Sequence, residues 1–382
     1  MEEKHLSEFL KHFSNIKDYR DPVRVNYKLS EIFFLTLCAV LSGCDDFVEI
    51  SNYGQENIKF LKKYLPYENG IPSHDTLNNV FNKLNPIEFN KCFIEWAKSI
   101  GGPLSEGQEI VAIDGKSVRG SHDRASGKRA IHMVSAWASE RNISLGQIKV
   151  SDKSNEIKAI PELLELIDVK SKIVTIDAIG TQKKIAKKII DQKADYVLSV
   201  KNNQKKLYNE IANFFTVHKK MNFEERGYKF NQYEQIEKGH GRIEIRKYVM
   251  LDQIGWMYES KGWDNIRSVG MVESTRIIGD KTTTQKRYYI SSLKNDVDKF
   301  ARAVRSHWGI ENKVHWLLDV SMHEDQSRTR KENGPENLSA IRKTALNLLK
   351  LFPSKDSIKV KRKKLGWNQK YLKQALKYII DL

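Results

Sequence analysis

The sequence predicts a layered α/β domain that carries a β-rich insertion and follows an all-α N-terminal region. Two observations carry this. Apolar residues recur at helical spacing up to about residue 100, without strand-like alternation. After residue 108, short apolar runs and amphipathic stretches follow in the order three strands, helix, strand, helix, strand, helix. Alternation of that kind argues for a sheet with helices on both faces. Three hairpin-like strands followed by crossover units is the layout of a ribonuclease-H-like fold.

In the N-terminal region, residues 1–100, Leu6, Phe9, Leu10 and Phe13 share one helical face. Residues 29–41 form a second helix that ends at Ser42-Gly43, and residues 46–64 form a third. In IPSHDTLNNVFNKL, Pro72 and Ser73 are start signals, and Leu77, Val80, Phe81 and Leu84 make the apolar face. His74 and Asp75 are tempting as chemistry, but a capped first turn is their expected role. Residues 86–100 add one more helix, and Gly101-Gly102-Pro103 marks a boundary.

The α/β domain is expected over residues 106–350. The first strand, 110–113, ends in Asp114-Gly115-Lys116; two more follow at 132–138 and 143–150, joined at Glu140-Arg141-Asn142. Ser154 or Asn155 caps a helix to residue 167, and the fourth strand, 172–176, ends in Asp177. A helix over 181–192, a strand at 196–200 and a helix over 204–218 complete the alternation. In this layout the first and fourth strands are neighbours, so Asp114 and Asp177 converge beyond their carboxyl ends, where sites usually form. Lys201 and Asn203 follow the fifth strand on the same sheet edge and are candidates for holding a phosphate; a polar loop end is the alternative.

Residues 219–293 break the alternation with strands at 228–233, 241–250, 266–278 and 285–292, read as the insertion. His240 and Arg242 in KGHGR are candidate DNA contacts, or a plain turn. Trp256 and Trp263 are expected to pack in the core, with stacking on a flipped base as the alternative. Asp296 caps the next helix. At ~100° per residue, Phe300, Val304, Trp308, Glu311, His315 and Leu318 fall in one wedge of it. Glu311 is therefore expected on a buried face, where a carboxylate is costly unless paired, hydrogen-bonded or bound to a metal. Glu324 and Asp325 compete for the same role; buried placement favours Glu311. Trp308 and Trp316 are expected in the core. A last helix covers 336–351, and the tail 351–382, with nine Lys or Arg against two Asp, is expected to dock as an amphipathic helix.

Bulk properties bound the function. The net charge of +17 predicts attraction to a polyanion, most often nucleic acid. The three cysteines show no pairing or zinc spacing, which argues for a reducing compartment and against structural zinc. The N-terminus MEEKHLSEFLKHF is no signal peptide, and the apolar run 32–41 is too short to span a bilayer. A cytoplasmic protein with no membrane partner is expected. Three convergent carboxylates repel each other and need a cation. Hard oxygen ligands suit Mg²⁺ or Mn²⁺, and two ions roughly 4 Å apart would serve phosphodiester chemistry.

Several stretches resemble one family closely. They are VAIDGKSVRGS (111–121), residues 132–168, VTIDAIGTQKKIAKKII (174–190) with ADYVLSVKNNQ (194–204), EKGHGRIEIR (237–246) and residues 304–350. All are similar to the H-repeat-associated insertion-sequence transposases, a bacterial branch of the insertion-sequence-four-like DDE superfamily. GIPSHDTLNNVFNKLNP (70–86), with Cys92-Phe93 and Trp96, resembles that family's helical N-terminal domain. The resemblance covers roughly residues 5–352. It implies a ribonuclease-H-like, metal-dependent DNA transposase that cleaves at the element's terminal inverted repeats and transfers strands to target DNA. By motif position Asp114, Asp177 and Glu311 are the catalytic and metal-binding residues. A homodimer on paired ends, in the bacterial cytoplasm and on the nucleoid, is also implied. A domesticated or decayed homologue, acting only as a nuclease or DNA-binding protein, is the alternative. The wider superfamily places Tyr, Arg and Lys around the Glu; here those positions hold Val304, His307 and Leu318. His307 is expected to replace the Arg as a phosphate donor, and Lys313 or His315 the Lys.

Overall fold

The structure is a computed structural model that describes residues 12–13, 16–100, 109–151, 155–220, 223, 227–239 and 241–380. Expectations placed on Leu6, Phe9, Leu10, residues 101–103, Ser154 and His240 lie outside the described residues. The N-terminal region is helical: α1 (Leu29–Leu41), α2 (Phe47–Glu56), α3 (Ile58–Leu61), α4 (His74–Lys83) and α5 (Pro86–Ile100). Strands β1 (Ile110–Ser117), β2 (His132–Ala138) and β3 (Ile143–Lys149) come next, then α6 (Glu156–Leu166), β4 (Ile173–Ile176), α7 (Lys183–Asp191), β5 (Asp195–Val200) and α8 (Lys205–Lys219). Four long strands follow: β6 (Asn231–Gly239), β7 (Arg242–Leu251), β8 (Ser268–Ile278) and β9 (Lys281–Ser291). The chain ends with α9 (Val297–Ile310), a π-helical turn (Glu311–His315), α10 (Trp316–Met322), α11 (Gly334–Leu351), α12 (Ile358–Trp367) and α13 (Gln369–Ile380).

Local chemistry sets the boundaries. Ser73 caps α4 by accepting from the Thr76 amide, so His74 and Asp75 occupy a capped first turn, as expected. Asp296 caps α9 through the Lys299 amide at 3.0 Å. The single helix expected over 46–64 breaks at Asn57, whose side-chain amide donates to the Tyr53 carbonyl at 3.0 Å. A side chain bonded to its own backbone offers the chain an alternative to continuing the helix. The first insertion strand runs 231–239, later and longer than the expected 228–233.

The chain divides into two compact units: Leu104–Asp114 with Asn155–Ile310, and Met1–Pro103 with Gly115–Ser154 and Glu311–Leu382. The first of these holds a mixed sheet in the order β1-β4-β5-β9-β8-β7-β6. β1, β4 and β5 are parallel, and β5, β9, β8, β7 and β6 pair antiparallel. The β-rich insertion therefore extends the sheet, because β9 pairs with the edge that β5 leaves open. Helix α9 lies on this sheet, where Phe300, Ala303 and Val304 pack with Ile173, Val197, Tyr248, Met250 and Tyr289. A side chain at Gly270 of β8 would meet the Phe300 ring at 2.4 Å, so glycine is what admits the helix.

The second unit is built around α11. Every residue from 334 to 349 is buried. A helix covered all round needs a partner for each polar group. Asn337 donates to the Phe81 carbonyl at 2.8 Å, Arg342 to the Asp45 carbonyl at 3.0 Å, and Asn347 exchanges two hydrogen bonds with the Ser144 backbone. Helices α1, α4 and α5 and strand β3 pack on it. Cys38, Cys44 and Cys92 are free thiols. Among the described residues no helix is long and apolar enough to cross a membrane.

Candidate active site

Strands β1 and β4 pair in parallel with Ile113 opposite Ile176. The next residue on each is an aspartate, so Asp114 and Asp177 stand side by side where the pairing ends, both half-buried; Asp177 follows β4, whereas β1 runs on to Ser117, past the expected end at 113. Asp177 Oδ1 accepts from the amides of Ile179 (3.0 Å) and Gly180 (3.4 Å). The turn is tight: a Cβ on Gly180 would lie 2.3 Å from the Ile176 side chain. Burial pushes the Asp177 carboxyl above its ordinary range, against the opposing pull of those amides and of Lys201.

Three other anticipated residues gather around Asp177. His307, near the end of α9, pairs through Nδ1 with the Thr175 hydroxyl of β4 at 3.1 Å. Burial holds its imidazole down at about 4, so it is neutral at physiological pH. It acts there as a hydrogen-bonding group, without the charge of the arginine it was expected to replace. Lys201 and Asn203 follow β5 and are exposed; Asn203 donates to the Ala178 carbonyl at 2.5 Å, next to Asp177.

Glu311 differs from expectation: it is exposed, not buried. The wheel assumed an unbroken α-helix, but residues Glu311–His315 form a π-helical turn. A π-turn takes one extra residue, so the buried row passes through Ala303, Ile310, Val314 and Leu318 and leaves Glu311 in solvent. Trp308 and Trp316, expected in the core, are 37% and 56% exposed. The Arg287 guanidinium lies 4.7 Å over the Trp308 ring. Burial therefore does not favour Glu311 over its competitors.

Of the three competing carboxylates the buried one is Glu324, 0% exposed. Lys116, two residues past Asp114, bonds Asp319 at 2.8 Å, Glu324 at 3.0 Å and Asp325 at 3.0 Å. Ser339 donates to the other Glu324 oxygen at 2.8 Å. Lys343, hydrogen-bonded to Gln147 and Ser339, and Lys116 hold the Glu324 carboxyl down at about 2 against its burial. The Arg119 amide reaches Asp325 at 3.1 Å, and the Arg330 guanidinium reaches the Gly120 carbonyl at 3.3 Å. Thus VAIDGKSVRGS and HEDQSRTR, joined by bonds that span 206 to 210 residues of sequence, form one closed ion network, with Glu324 committed to lysines. Sequence reasoning missed it, although the Lys in DGK and the Glu-Asp pair were its signal.

The remaining candidates scatter. Lys313 is exposed, 5.6 Å from the Trp137 ring. His315 is half-buried, and burial plus the nearby Lys343 and Lys116 push it down to about 3. Arg242 pairs at 2.9 Å with Glu244 of its own strand. Trp263 is buried and Trp256 stacks on Phe214 at 3.8 Å, in line with core packing.

Among the described residues no group of three or more His, Cys, Asp or Glu is gathered to hold a metal ion. The donors present at the strand ends are nevertheless of the right kind. Asp114 and Asp177 offer hard carboxylate oxygens, and Asp177 is an anion whose burial is only partly offset. Such donors suit a hard divalent cation.

The family description "Transposase DDE domain" matches residues 105–348, and "DDE_Tnp_1-associated" matches residues 10–97. The chain is 43% identical over 376 residues to a putative transposase, YncI, of Escherichia coli O157:H7, covering 97% of this chain and 95% of that one. It is 40% identical over 382 residues to the H repeat-associated putative transposase YhhI of Escherichia coli K12, covering 97% and 98%. A solved piggyBac transposase synaptic complex with hairpin DNA aligns with TM-score 0.43 and 12% identity, over 99% of this chain and 78% of that one. On the family match across the catalytic region and the near-full-length relatives, this chain belongs to the DDE transposase family.

Proposed function

We propose that this DNA transposase cleaves phosphodiester bonds at the terminal inverted repeats of an insertion sequence and joins the freed 3′ ends to target DNA. The observation that carries the reading is the pair Asp114 and Asp177, leaving adjacent parallel strands in register. Asp114, Asp177 and Glu311 are the proposed holders of two divalent ions, Mg²⁺ or Mn²⁺. When bound, these ions activate the attacking oxygen and stabilise the leaving one. The ribonuclease-H-like architecture is part of the same reading, supported by the parallel β1-β4-β5 core and the α7 crossover.

The chain's own residues have definable tasks. Asp177 is oriented by two backbone amides, which fixes its free oxygen. Neutral His307 is tied to Thr175, two residues before Asp177 on β4. Lys201 supplies positive charge near both, suited to a scissile phosphate. Lys313 is the exposed cation best suited to the role of the superfamily's lysine. His315 is not, because its environment keeps it neutral. Two element ends must be processed together, so a homodimer on paired ends is part of the proposal.

The test is cleavage of duplex DNA carrying the sequences that flank the gene, with Mg²⁺ or Mn²⁺. Cleavage is expected from the wild type and only background from Asp114→Asn, Asp177→Asn and Glu311→Gln, all folded. Wild-type cleavage by either aspartate variant would end the reading.

A further inference from the structure

We propose that the helical hairpin α12–α13 is a second DNA-contact surface that grips the phosphate backbone through a face of lysines. This goes beyond the active site and does not depend on its assignments. In residues 351–380 the sole acidic residue is Asp356, and Lys364 pairs with it at 2.6 Å. Lys355, Lys359, Lys363, Lys370, Lys373 and Lys377 are all exposed. On α12 (Lys359, Lys363) and α13 (Lys370, Lys373, Lys377) they recur every three or four residues, about 4.5–6 Å along the axis, so each helix shows a row of one sign.

The hairpin is fastened, so these rows are held in place. Arg362 is buried and donates to the carbonyls of Val40 (3.0 Å), Cys44 (3.2 Å) and Ser321, and pairs with Asp45 at 2.8 Å. Lys361 is buried and donates to the Leu349 and Phe352 carbonyls, both at 2.8 Å. Leu365, Leu372, Ala375 and Leu376 fill the inner face. A side chain at Gly366 would meet the Ser42 carbonyl oxygen at 2.5 Å, so the helix sits directly on that backbone. Arg362, Lys361 and Lys364 thus serve the fold, and the six exposed lysines have no ion-pair partner among the described residues.

Trp367, at the turn between the helices, is 74% exposed. A solvated charge run leaves no reason for an indole among lysines, whereas a flat amphipathic ring suits the sugar edge of a nucleic-acid strand. Charge selects the occupant. A second copy of this chain would set lysine rows against lysine rows, and a polyanion neutralises them.

The experiment uses the full chain without divalent metal, so cleavage plays no part and failure of the active-site reading leaves the result readable. Affinity for a fluorescent duplex is followed against KCl concentration for the wild type and for K359Q/K363Q/K370Q/K373Q/K377Q. Each phosphate contact contributes about 0.9 to the slope of log K against log salt. The slope is expected to fall by about 2–4 and affinity at 0.1 M salt by at least about tenfold, with unchanged circular dichroism. The sets K359Q/K363Q and K370Q/K373Q/K377Q should each give part of the fall, and they carry the test if the fivefold variant misfolds. Trp367→Ala should weaken binding severalfold. An unchanged slope would overturn the proposal. So would loss of self-association, or of binding to phosphatidylserine vesicles, with DNA affinity intact.

Discussion

Lys116 concentrates much of the molecule's electrostatics in one side chain. Its ammonium faces Asp319, Glu324 and Asp325, and their field raises its pKa despite burial. Removing one partner of a buried pair leaves an uncompensated charge and costs about 3–5 kcal/mol. Lys116→Met should therefore unfold at much lower urea than the wild type, and Lys116→Arg should recover part of the loss. Equal urea midpoints for Lys116→Met and the wild type would show that the network contributes nothing. Two histidines give a pH signature. In the unfolded chain they protonate near 6.5, whereas the fold keeps His307 neutral down to about 4 and His315 down to about 3. As pH falls through 6.5 the unfolded chain takes up protons first. The stability these two histidines contribute is therefore full above about pH 6.5 and declines as pH drops towards 4. Glu324, with its folded value at about 2, adds a loss only below its ordinary 4.5. Melting at pH 7.5 and 5.0 should give a lower Tm at 5.0, and His315→Gln should shrink the difference.

Elements meet here through absent side chains as much as through present ones. Gly270 admits the Phe300 ring of α9 to β8, and Gly120 admits the Ser327 carbonyl, 2.2 Å from where a Cβ would stand. Phe300 is fully buried, so its ring has no solvent to retreat into. Gly270→Ala should cost about 1–3 kcal/mol by overpacking. Gly120→Ala, where the obstacle is backbone, should cost at least as much. Denaturant titration measures both, and wild-type midpoints would refute the close approaches. Strand and helix order was legible because period-2 and period-3.6 patterns are local. The helical phase around Glu311 was not: a five-residue π-turn leaves no mark in apolar spacing, yet it rotates every later side chain. Glu311 was misplaced for that reason.

At the scale of the whole chain, the helical N-terminal region does not close on itself. Its core is completed by α11, more than 230 residues later, through bonds such as Asn337 to Phe81 and Arg342 to Asp45. Residues 1–103 expressed alone should lack a cooperative melting transition, and a sharp one would contradict this account. The sequence by itself determined the element types, the two strand-end aspartates, the basic charge and the family, because each resides in local pattern or in motif. Only the tertiary structure decided that the insertion prolongs the main sheet and that Glu324 is the buried carboxylate and Glu311 the exposed one. It alone showed that DGK and HED share one ion network. Such facts depend on contacts between residues far apart in sequence, and burial or ion pairing is a property of those contacts and not of the residues themselves.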